Sequence, residues 1–256
     1  MKLSFIVIGV QKGGTTSLDT ALRRHPQVGM GRVKEIHFFD DEDRNWRDIE
    51  IDAYHAFFDF PAKRQVYGEV TPNYICWPPA LERIARYNPD IKIIAMFRDP
   101  IHRAYSHWQM TYSIGMENHG FALAIREGRK RLPEKFDGDR VATRTFTYVE
   151  RGYYGTQLQQ VLSLFPRKNV LLLKSEKFFQ SQANTIRQVH EFLGIDTGAP
   201  VSTVHEHKHS SEVFPTRVSD EDVAYLREEL AEEMQLFARL SGMDISDWLV
   251  AGRGER

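Results

Sequence analysis

The most chemically informative segment of the chain is a glycine loop that follows an apolar run near its start. Residues 9–17 read Gly-Val-Gln-Lys-Gly-Gly-Thr-Thr-Ser. The adjacent glycines Gly13 and Gly14 let the backbone turn tightly and present its amides at a helix amino terminus, whose dipole favours an anion. Lys12 precedes the glycines, whereas ATP-binding P-loops place the lysine after the second glycine. The loop therefore predicts a phosphate or sulfate site that departs from the NTPase pattern.

A carboxylate lies near the end of the second apolar run, residues 65–72. One reading of Glu69, which the family resemblance of its motif implies, is a catalytic base, because a hydroxyl is a poor nucleophile at neutral pH. The other reading is a structural ion pair between Glu69 and Lys34 or Lys12. A lysine neighbour would also orient a base, so the two readings overlap.

An arginine ends the third apolar run and precedes a helix. Asp99 followed by Pro100 is typical of an N-cap and a first helical residue, which predicts a helix over about 101–112. Arg98 would lie at the strand end and Ser106 about two turns along the helix. A guanidinium at this place suits a phosphate. The alternatives are a salt bridge from Arg98 to Asp99 and a plain surface serine.

The elements that must position these residues alternate between strands and helices, which favours an α/β fold. We predict a central parallel sheet flanked by helices, with the phosphate-binding loop after the first strand. The predicted strands are residues 3–10, 65–72, 91–99 and 169–178. The predicted helices run from Leu18 to before Pro26, around 81–85, and over 101–112, 156–165, 181–193 and 219–241.

Composition limits the class of protein. A chain of 256 residues with 41% hydrophobic residues suits one domain, predicted over residues 1–256. The net charge of −1 gives no general attraction for nucleic acid. The apolar run 3–10 is too short for a membrane span, which takes roughly 20 residues. Cys76 is the single cysteine, which excludes an internal disulfide and favours a cytoplasmic protein. Oligomeric state is left open.

Four motifs resemble the sulfotransferases that use 3′-phosphoadenosine 5′-phosphosulfate (PAPS), and most of all the heparan sulfate sulfotransferases and their bacterial counterparts. The motifs are Q-K-G-G-T-T-S-L (11–18), K-E-I-H-F-F (34–39), G-E-V-T-P-N-Y (68–74) and F-R-D-P-I-H-R-A-Y-S-H (97–107). The resemblance continues through 151–158 and 165–173 and covers residues 3 to about 215 in the expected order.

The resemblance assigns a role to each candidate residue. Glu69 would be the catalytic base, Lys12 would stabilise charge on the departing phosphate, and Lys34 would help neutralise the transferred group. Residues implied to hold the 5′-phosphosulfate are Lys12, Gly13, Gly14, Thr15, Thr16 and Ser17, and those implied to hold the 3′-phosphate are Arg98 and Ser106. PAPS would be the co-substrate, and no metal is expected.

Other residues of these motifs are expected to be structural. We expect Phe38 and Phe39 in the core and His37 in a supporting position. Tyr74 and Trp77 would either line an acceptor pocket or pack in the core. Arg103 would be a surface charge.

Two loops complete the sequence-based picture. Residues 205–215 would cover the nucleotide, with Lys208, His209 and Ser210 as contacts, although this H-x-H-x-H run could instead bind a metal. Residues 114–147 would lie on the acceptor side. Between 126 and 144 they carry seven basic and four acidic residues, which indicates a solvated face or a surface for an anionic acceptor.

The implied reaction is an in-line transfer of a sulfuryl group to a hydroxyl or amine of a carbohydrate or small-molecule acceptor. A P-loop kinase for a nucleotide or small molecule is one alternative, disfavoured by the order of Lys12 and the two glycines. The second is a non-catalytic nucleotide-binding module, since fold does not imply function.

Overall fold

A five-stranded sheet, parallel throughout, organises the α/β fold. The computed structural model describes residues 2–61, 63–132, 140–198, 214 and 216–248. The strand order is β2-β3-β1-β4-β5. The strands are β1 (Phe5–Gly9), β2 (Val28–Met30), β3 (Val66–Val70), β4 (Lys92–Phe97) and β5 (Val170–Lys174). The predicted single α/β domain with a parallel central sheet flanked by helices is confirmed.

The strands at the centre of the sheet are almost wholly apolar because both faces of the sheet are covered. All five residues of β1 are buried. β1 pairs with β3 on one side, where Ile6 lies opposite Glu69, and with β4 on the other. Since parallel strands end at the same edge, this register brings the segments after β1 and β3 to one edge of the sheet.

Helices connect the strands along the chain. They are α1 (Thr15–Arg24), α2 (Ile51–His55), α3 (Pro78–Tyr87), α4 (Pro100–Ser113), α5 (Phe121–Ile125), α6 (Arg140–Phe146), α7 (Tyr154–Leu164), α8 (Ser175–Gln180), α9 (Gln182–Leu193) and α10 (Asp220–Ser241). Short 3-10 helices span Tyr74–Cys76, Glu127–Arg131, Glu150–Gly152 and Arg167–Asn169. The predicted cap of α4 is confirmed, because the Asp99 carboxylate accepts from the amides of Ile101 and His102.

The chain divides into two compact units. The first comprises residues Met1–Phe97 and Gln160–His207, and the second comprises Arg98–Gln159 and Lys208–Arg256. The sheet belongs to the first unit, where Leu18 of α1, Phe178 of α8 and Val189 of α9 pack on the strands. In the second unit α10 buries Leu226, Leu230 and Phe237, which lie on one face at helical spacing.

The strand predicted over 169–178 is too long. β5 ends at Lys174, and Ser175 begins the helix α8. The apolar run ends at Leu173, and the following Lys-Ser-Glu-Lys has no alternation of apolar and polar residues that would support a strand. The strand β2, three residues long, carries too short a pattern to be predicted.

Candidate active site

The glycine loop between β1 and α1 adopts a backbone that fits an anion. Lys12 has φ 66° and Gly14, the N-cap of α1, has φ 93°. Gly13 lies so close to β4 that a Cβ there would be 2.5 Å from the Met96 carbonyl oxygen. The two glycines are therefore required for different reasons: Gly14 for a left-handed conformation and Gly13 for close approach.

The first turn of α1 follows this loop directly. The first amides of a helix have no acceptor within the helix, and this turn contains no acidic residue and no side-chain cap. Thr15 and Ser17 are buried, whereas Thr16 is exposed. The predicted phosphosulfate residues from Lys12 to Ser17 thus form one continuous segment at the positive end of a helix. Within it the amides of Gly13 and Ser17 donate to the carbonyls of Val10 and Gly14.

Glu69 is buried in β3 and is held by three hydroxyl groups. Its Oε1 accepts hydrogen bonds from Tyr54, at 2.6 Å, and from Tyr74, at 3.3 Å. Its Oε2 accepts from the Thr71 hydroxyl at 2.7 Å. None of these donors is a cation, and neither Lys12 nor Lys34 forms an ion pair with Glu69 in the described part of the chain.

This environment sets the acidity of the Glu69 carboxyl. Burial raises its pKa to about 7, because removing the carboxylate from water disfavours the charged form. The hydrogen bonds from Tyr54, Thr71 and Tyr74 act in the opposite direction. A carboxyl group with a pKa near neutrality is suited to accept and release a proton at physiological pH.

The K-E-I-H-F-F motif forms a tight polar turn at the end of β3, where the Glu35 amide donates to the Val70 carbonyl at 2.9 Å. Glu35 and His37 both have positive φ, 59° and 55°. Lys34 forms an ion pair with Glu35, and His37 Nδ1 lies 2.9 Å from Oδ2 of the buried Asp40. Burial alone would raise the pKa of Glu35, but its hydrogen bond with His37 and the charge of Lys34 lower it to about 2.

The structure separates the aromatic residues of the motifs from solvent. Phe38 and Phe39 are buried, as predicted. Tyr74 is fully buried and its hydroxyl accepts from the Phe38 amide at 3.0 Å, which places it in the core next to Glu69. Trp77 is also buried and donates to Glu42. Of the two predicted readings for Tyr74 and Trp77, the core position is therefore the one observed.

The remaining residues that were predicted to bind PAPS belong to the second unit or lie outside the described residues. Arg98 follows β4 and its carbonyl accepts from the Tyr154 hydroxyl at 3.0 Å. Ser106 is half-buried on α4. Lys208, His209 and Ser210 lie outside the described residues.

Arg103 is not the surface charge that the sequence predicts. It is fully buried on α4, and its guanidinium donates to the Tyr148 carbonyl. The helix turns this side chain toward the interior of the second unit, where a backbone acceptor receives the charged donor.

The basic segment is held by acidic groups of its own unit. Arg126 pairs with Asp222 at 2.6 Å, and Arg131 pairs with the buried Glu117 at 2.7 Å. Arg129 contacts Glu150 at 2.7 Å and Glu229 at 2.5 Å. Between 126 and 131 the predicted solvated or acceptor-facing charges are therefore largely committed to internal ion pairs.

Two residues of the Glu69 site were not assigned a role from the sequence. Thr71 lies in the G-E-V-T-P-N-Y motif, so its position two residues after Glu69 was a usable signal. Tyr54 lies in the short helix α2, 15 residues before Glu69, and no local pattern indicates the contact.

No group of three or more His, Cys, Asp or Glu side chains that could hold a metal ion occurs among the described residues. No helix in the part of the chain that the structure describes has both the length and the apolar character to cross a bilayer.

A family model, a curated relative and a solved structure each match this chain to sulfotransferases. The sulfotransferase domain family matches residues 3–213. Heparan sulfate glucosamine 3-O-sulfotransferase 6 of Mus musculus is 30% identical over 212 residues, which are 82% of this chain but only 57% of that protein. A crystal structure of a sulfotransferase from Alicyclobacillus acidocaldarius superposes with TM-score 0.80 and 25% identity, covering 97% of this chain and 99% of that one.

A more distant structure has the same fold. A mouse sulfotransferase in complex with 3′-phosphoadenosine 5′-phosphate (PAP) aligns with TM-score 0.55 and 14% identity. The alignment covers 95% of this chain and 90% of the mouse chain. Together with the glycine loop and the Glu69 site, the match over residues 3–213 means that this chain belongs to the sulfotransferase family.

Proposed function

We propose that this chain transfers a sulfuryl group from PAPS to a hydroxyl or amine of a carbohydrate or small-molecule acceptor. The observation that carries the proposal is the buried Glu69, held by three hydroxyls on the strand next to β1. β1 leads directly into the anion-binding segment from Lys12 to Ser17. A base and an anion site on adjacent strands are what a transfer of this kind requires.

The donor would be held by its phosphosulfate at the glycine loop. The helix amino terminus and the Lys12 charge suit the 5′-phosphosulfate, and Lys12 is assigned to the bridging oxygen by resemblance to the family. The family resemblance alone assigns Arg98 and Ser106 to the 3′-phosphate. The mouse relative that was crystallised with PAP supports this class of donor.

The transfer would proceed in one step without a covalent enzyme intermediate. The acceptor oxygen or nitrogen gives its proton to Glu69 and forms a bond to sulfur. The bond from sulfur to the bridging oxygen breaks, and PAP leaves with its new charge next to Lys12. Lys34 would neutralise further charge on the transferred group, although its ion pair with Glu35 must then be shared with the donor.

The hydrogen bonds around Glu69 indicate which oxygen takes the proton. A carboxylate has about four lone-pair directions, and two at Oε1 are used by Tyr54 and Tyr74. One at Oε2 is used by Thr71. The available direction is therefore on Oε2, which would be the proton acceptor.

The acceptor class rests on the relatives. Heparan sulfate glucosamine 3-O-sulfotransferase 6 is named for a carbohydrate acceptor. The ion pairs of residues 126–131 argue against this segment as a binding surface for a highly charged glycan. A carbohydrate or a small molecule with a hydroxyl or amine is the acceptor that we propose, bound by other residues than this segment.

Calorimetric binding of PAP tests the donor site. We expect tight binding to the wild type, no comparable binding of ATP or adenosine 5′-phosphosulfate, and a loss of about 10- to 100-fold for Arg98→Ala. Arg24→Gln is the matched control, since Arg24 is an exposed arginine at the end of α1. Preference for ATP would favour the kinase alternative. PAP binding without turnover on any acceptor would favour the non-catalytic module.

A further inference from the structure

A cavity lies in the first unit, at the amino end of β1. It has a volume of about 400 Å³ and is lined by the rings of Phe39, Trp46 and Tyr87. The Leu3 amide, just before β1, donates to the Tyr87 hydroxyl at 2.7 Å. The glycine loop starts after Gly9. The cavity and the glycine loop therefore lie at opposite ends of β1, which rises about 3.3 Å per residue.

The aromatic walls of this cavity are fixed by their neighbours. Phe39 contacts Tyr87 with ring centroids 5.6 Å apart and stacks on Trp46 at 6.3 Å. Arg83 lies over the Trp46 ring at 4.0 Å, and its guanidinium is bound to both oxygens of Glu42. A cavity whose walls are held in this way is formed before a ligand arrives.

The rim of the cavity is cationic. Lys2 and Arg86 line it, both are exposed, and neither has an ion pair in the described part of the chain. This contrasts with Arg83, whose charge Glu42 balances. His55 also lines the cavity, and its Nε2 lies 3.0 Å from the Tyr87 hydroxyl. The lining contains no carboxylate.

The cavity is separate from the Glu69 site. The Tyr54 ring packs on Tyr87 at 5.5 Å and on Phe39 at 4.8 Å, while its hydroxyl points to Glu69. Tyr54 is fully buried, and its ring lies behind Phe39 and Tyr87, between the cavity and Glu69.

We propose that this cavity is a binding site for a small planar aromatic anion, with the ring system between Phe39, Trp46 and Tyr87 and its carboxylate, sulfate or sulfonate at Arg86 and Lys2. Aromatic rings favour offset or edge-on packing against a planar ligand. The unpaired cations at the rim select a negative group and disfavour a cation. The site does not depend on the proposed sulfotransfer reaction.

The probe for this site is 8-anilinonaphthalene-1-sulfonate, whose fluorescence rises in an apolar environment. N-phenyl-1-naphthylamine has the same rings without the sulfonate and serves as the neutral control. We expect Arg86→Gln to weaken the sulfonate probe about threefold to fivefold, because an exposed charge pair contributes up to about 1 kcal/mol. The neutral probe should bind both proteins equally, and Arg24→Gln should leave both probes unchanged.

A second variant tests the place of binding. Ile51→Trp would fill the cavity from its aliphatic side, and we expect it to abolish binding of both probes while circular dichroism stays that of the wild type. Trp46→Phe should reduce energy transfer from tryptophan to the bound probe. Equal affinity of the sulfonate probe for wild type, Arg86→Gln and Ile51→Trp would overturn the proposal. Displacement by PAP would also overturn it, since the probe would then occupy the donor loop.

Discussion

The phenol of Tyr54 donates a 2.6 Å hydrogen bond to Oε1 of Glu69, and both side chains are buried. Thr71 makes the matching contact to Oε2 at 2.7 Å. A buried carboxylate is commonly balanced by an arginine or lysine, which would hold its pKa low. Here neutral hydroxyls take that place, so burial keeps the pKa of Glu69 near 7 and its proton exchangeable at neutral pH.

Replacing Tyr54 by phenylalanine should move the pH dependence of turnover. The lost hydrogen bond stabilised the ionised form, so the pKa of Glu69 should rise further above about 7. Because the base must be ionised, we expect the acid limb of kcat to move to higher pH by on the order of one unit, the equivalent of one lost hydrogen bond. Turnover of Tyr54→Phe and wild type from pH 5.5 to 9 measures the shift.

The control for this experiment is Tyr67→Phe. Tyr67 is also a buried tyrosine of the first unit, but its hydroxyl donates to the Pro61 carbonyl and does not contact Glu69. It should leave the acid limb in place. An unshifted limb in Tyr54→Phe, with turnover reduced equally at all pH values, would show that Tyr54 supports only the fold.

Glu69→Gln should abolish turnover and make the fold more resistant to alkaline pH. The pKa of Glu69 rises from 4.5 to about 7 on folding, so its contribution to stability is complete below pH 4.5 and is lost as pH rises through 7. That difference corresponds to about 3 kcal/mol. Between pH 5 and pH 8, the free energy of unfolding measured in urea should change by about this amount in favour of the Glu69→Gln variant relative to wild type. A pH-independent difference between the two proteins would contradict the buried, titrating carboxyl.

Gly13→Ala should destabilise the protein and weaken the binding of PAP at the glycine loop. The added Cβ would meet the Met96 carbonyl oxygen at 2.5 Å, and backbone atoms cannot yield as a flexible side chain can. We expect a loss of stability of about 1–3 kcal/mol and a loss of PAP affinity of at least tenfold. Gly198→Ala is the matched control, because its Cβ would meet only an Asp196 side-chain oxygen, at 3.3 Å. Wild-type PAP affinity in Gly13→Ala would exclude the loop as the donor site.

His190 should make the first unit sensitive to mild acid. It is buried, its ring contacts His25 at 4.4 Å, and neither ring nitrogen has a hydrogen-bond partner within the described residues. Burial lowers its pKa from 6.5 to about 4, with a smaller contribution from the nearby His25. The unfolded chain therefore binds the proton first, and stability falls as pH drops through this window.

The test measures the free energy of unfolding in urea for His190→Phe and for wild type, and follows the difference between them as pH falls. The phenylalanine does not titrate, so the variant should gain about 2 kcal/mol relative to wild type between pH 6.5 and pH 5. This difference isolates His190 from Glu69, whose trend over the same pH range has the opposite sign. A constant difference would mean that the His190 ring takes up its proton while the protein is folded.

The sequence was sufficient for features that depend on neighbours in the chain. The turn of the glycine loop before α1, the cap of α4 by Asp99 and the helix α10 each follow from residues a few positions apart. Contacts between distant segments could not be predicted in this way. Arg103 is buried because the Tyr148 carbonyl, 45 residues later, accepts from it.

The same reason explains why the Glu69 site was predicted only in part. Glu69 was proposed from its motif, but the hydrogen bond from Tyr54 joins two elements that are 15 residues apart in the chain. The assignments of Lys208, His209 and Ser210 to the nucleotide stay predictions. So does the role of Arg98 and Ser106 at the 3′-phosphate.

The ion pairs of Arg126, Arg129 and Arg131 have a consequence for behaviour in salt. A free basic surface binds a polyanion by releasing condensed counterions, so its affinity falls steeply as salt is added. These three guanidinium groups already have carboxylate partners, so few counterions would be released from this segment. Added salt would act first on the attraction between the segment and its own unit. Salt dependence would then appear in the melting of the second unit more than in the affinity for an acceptor.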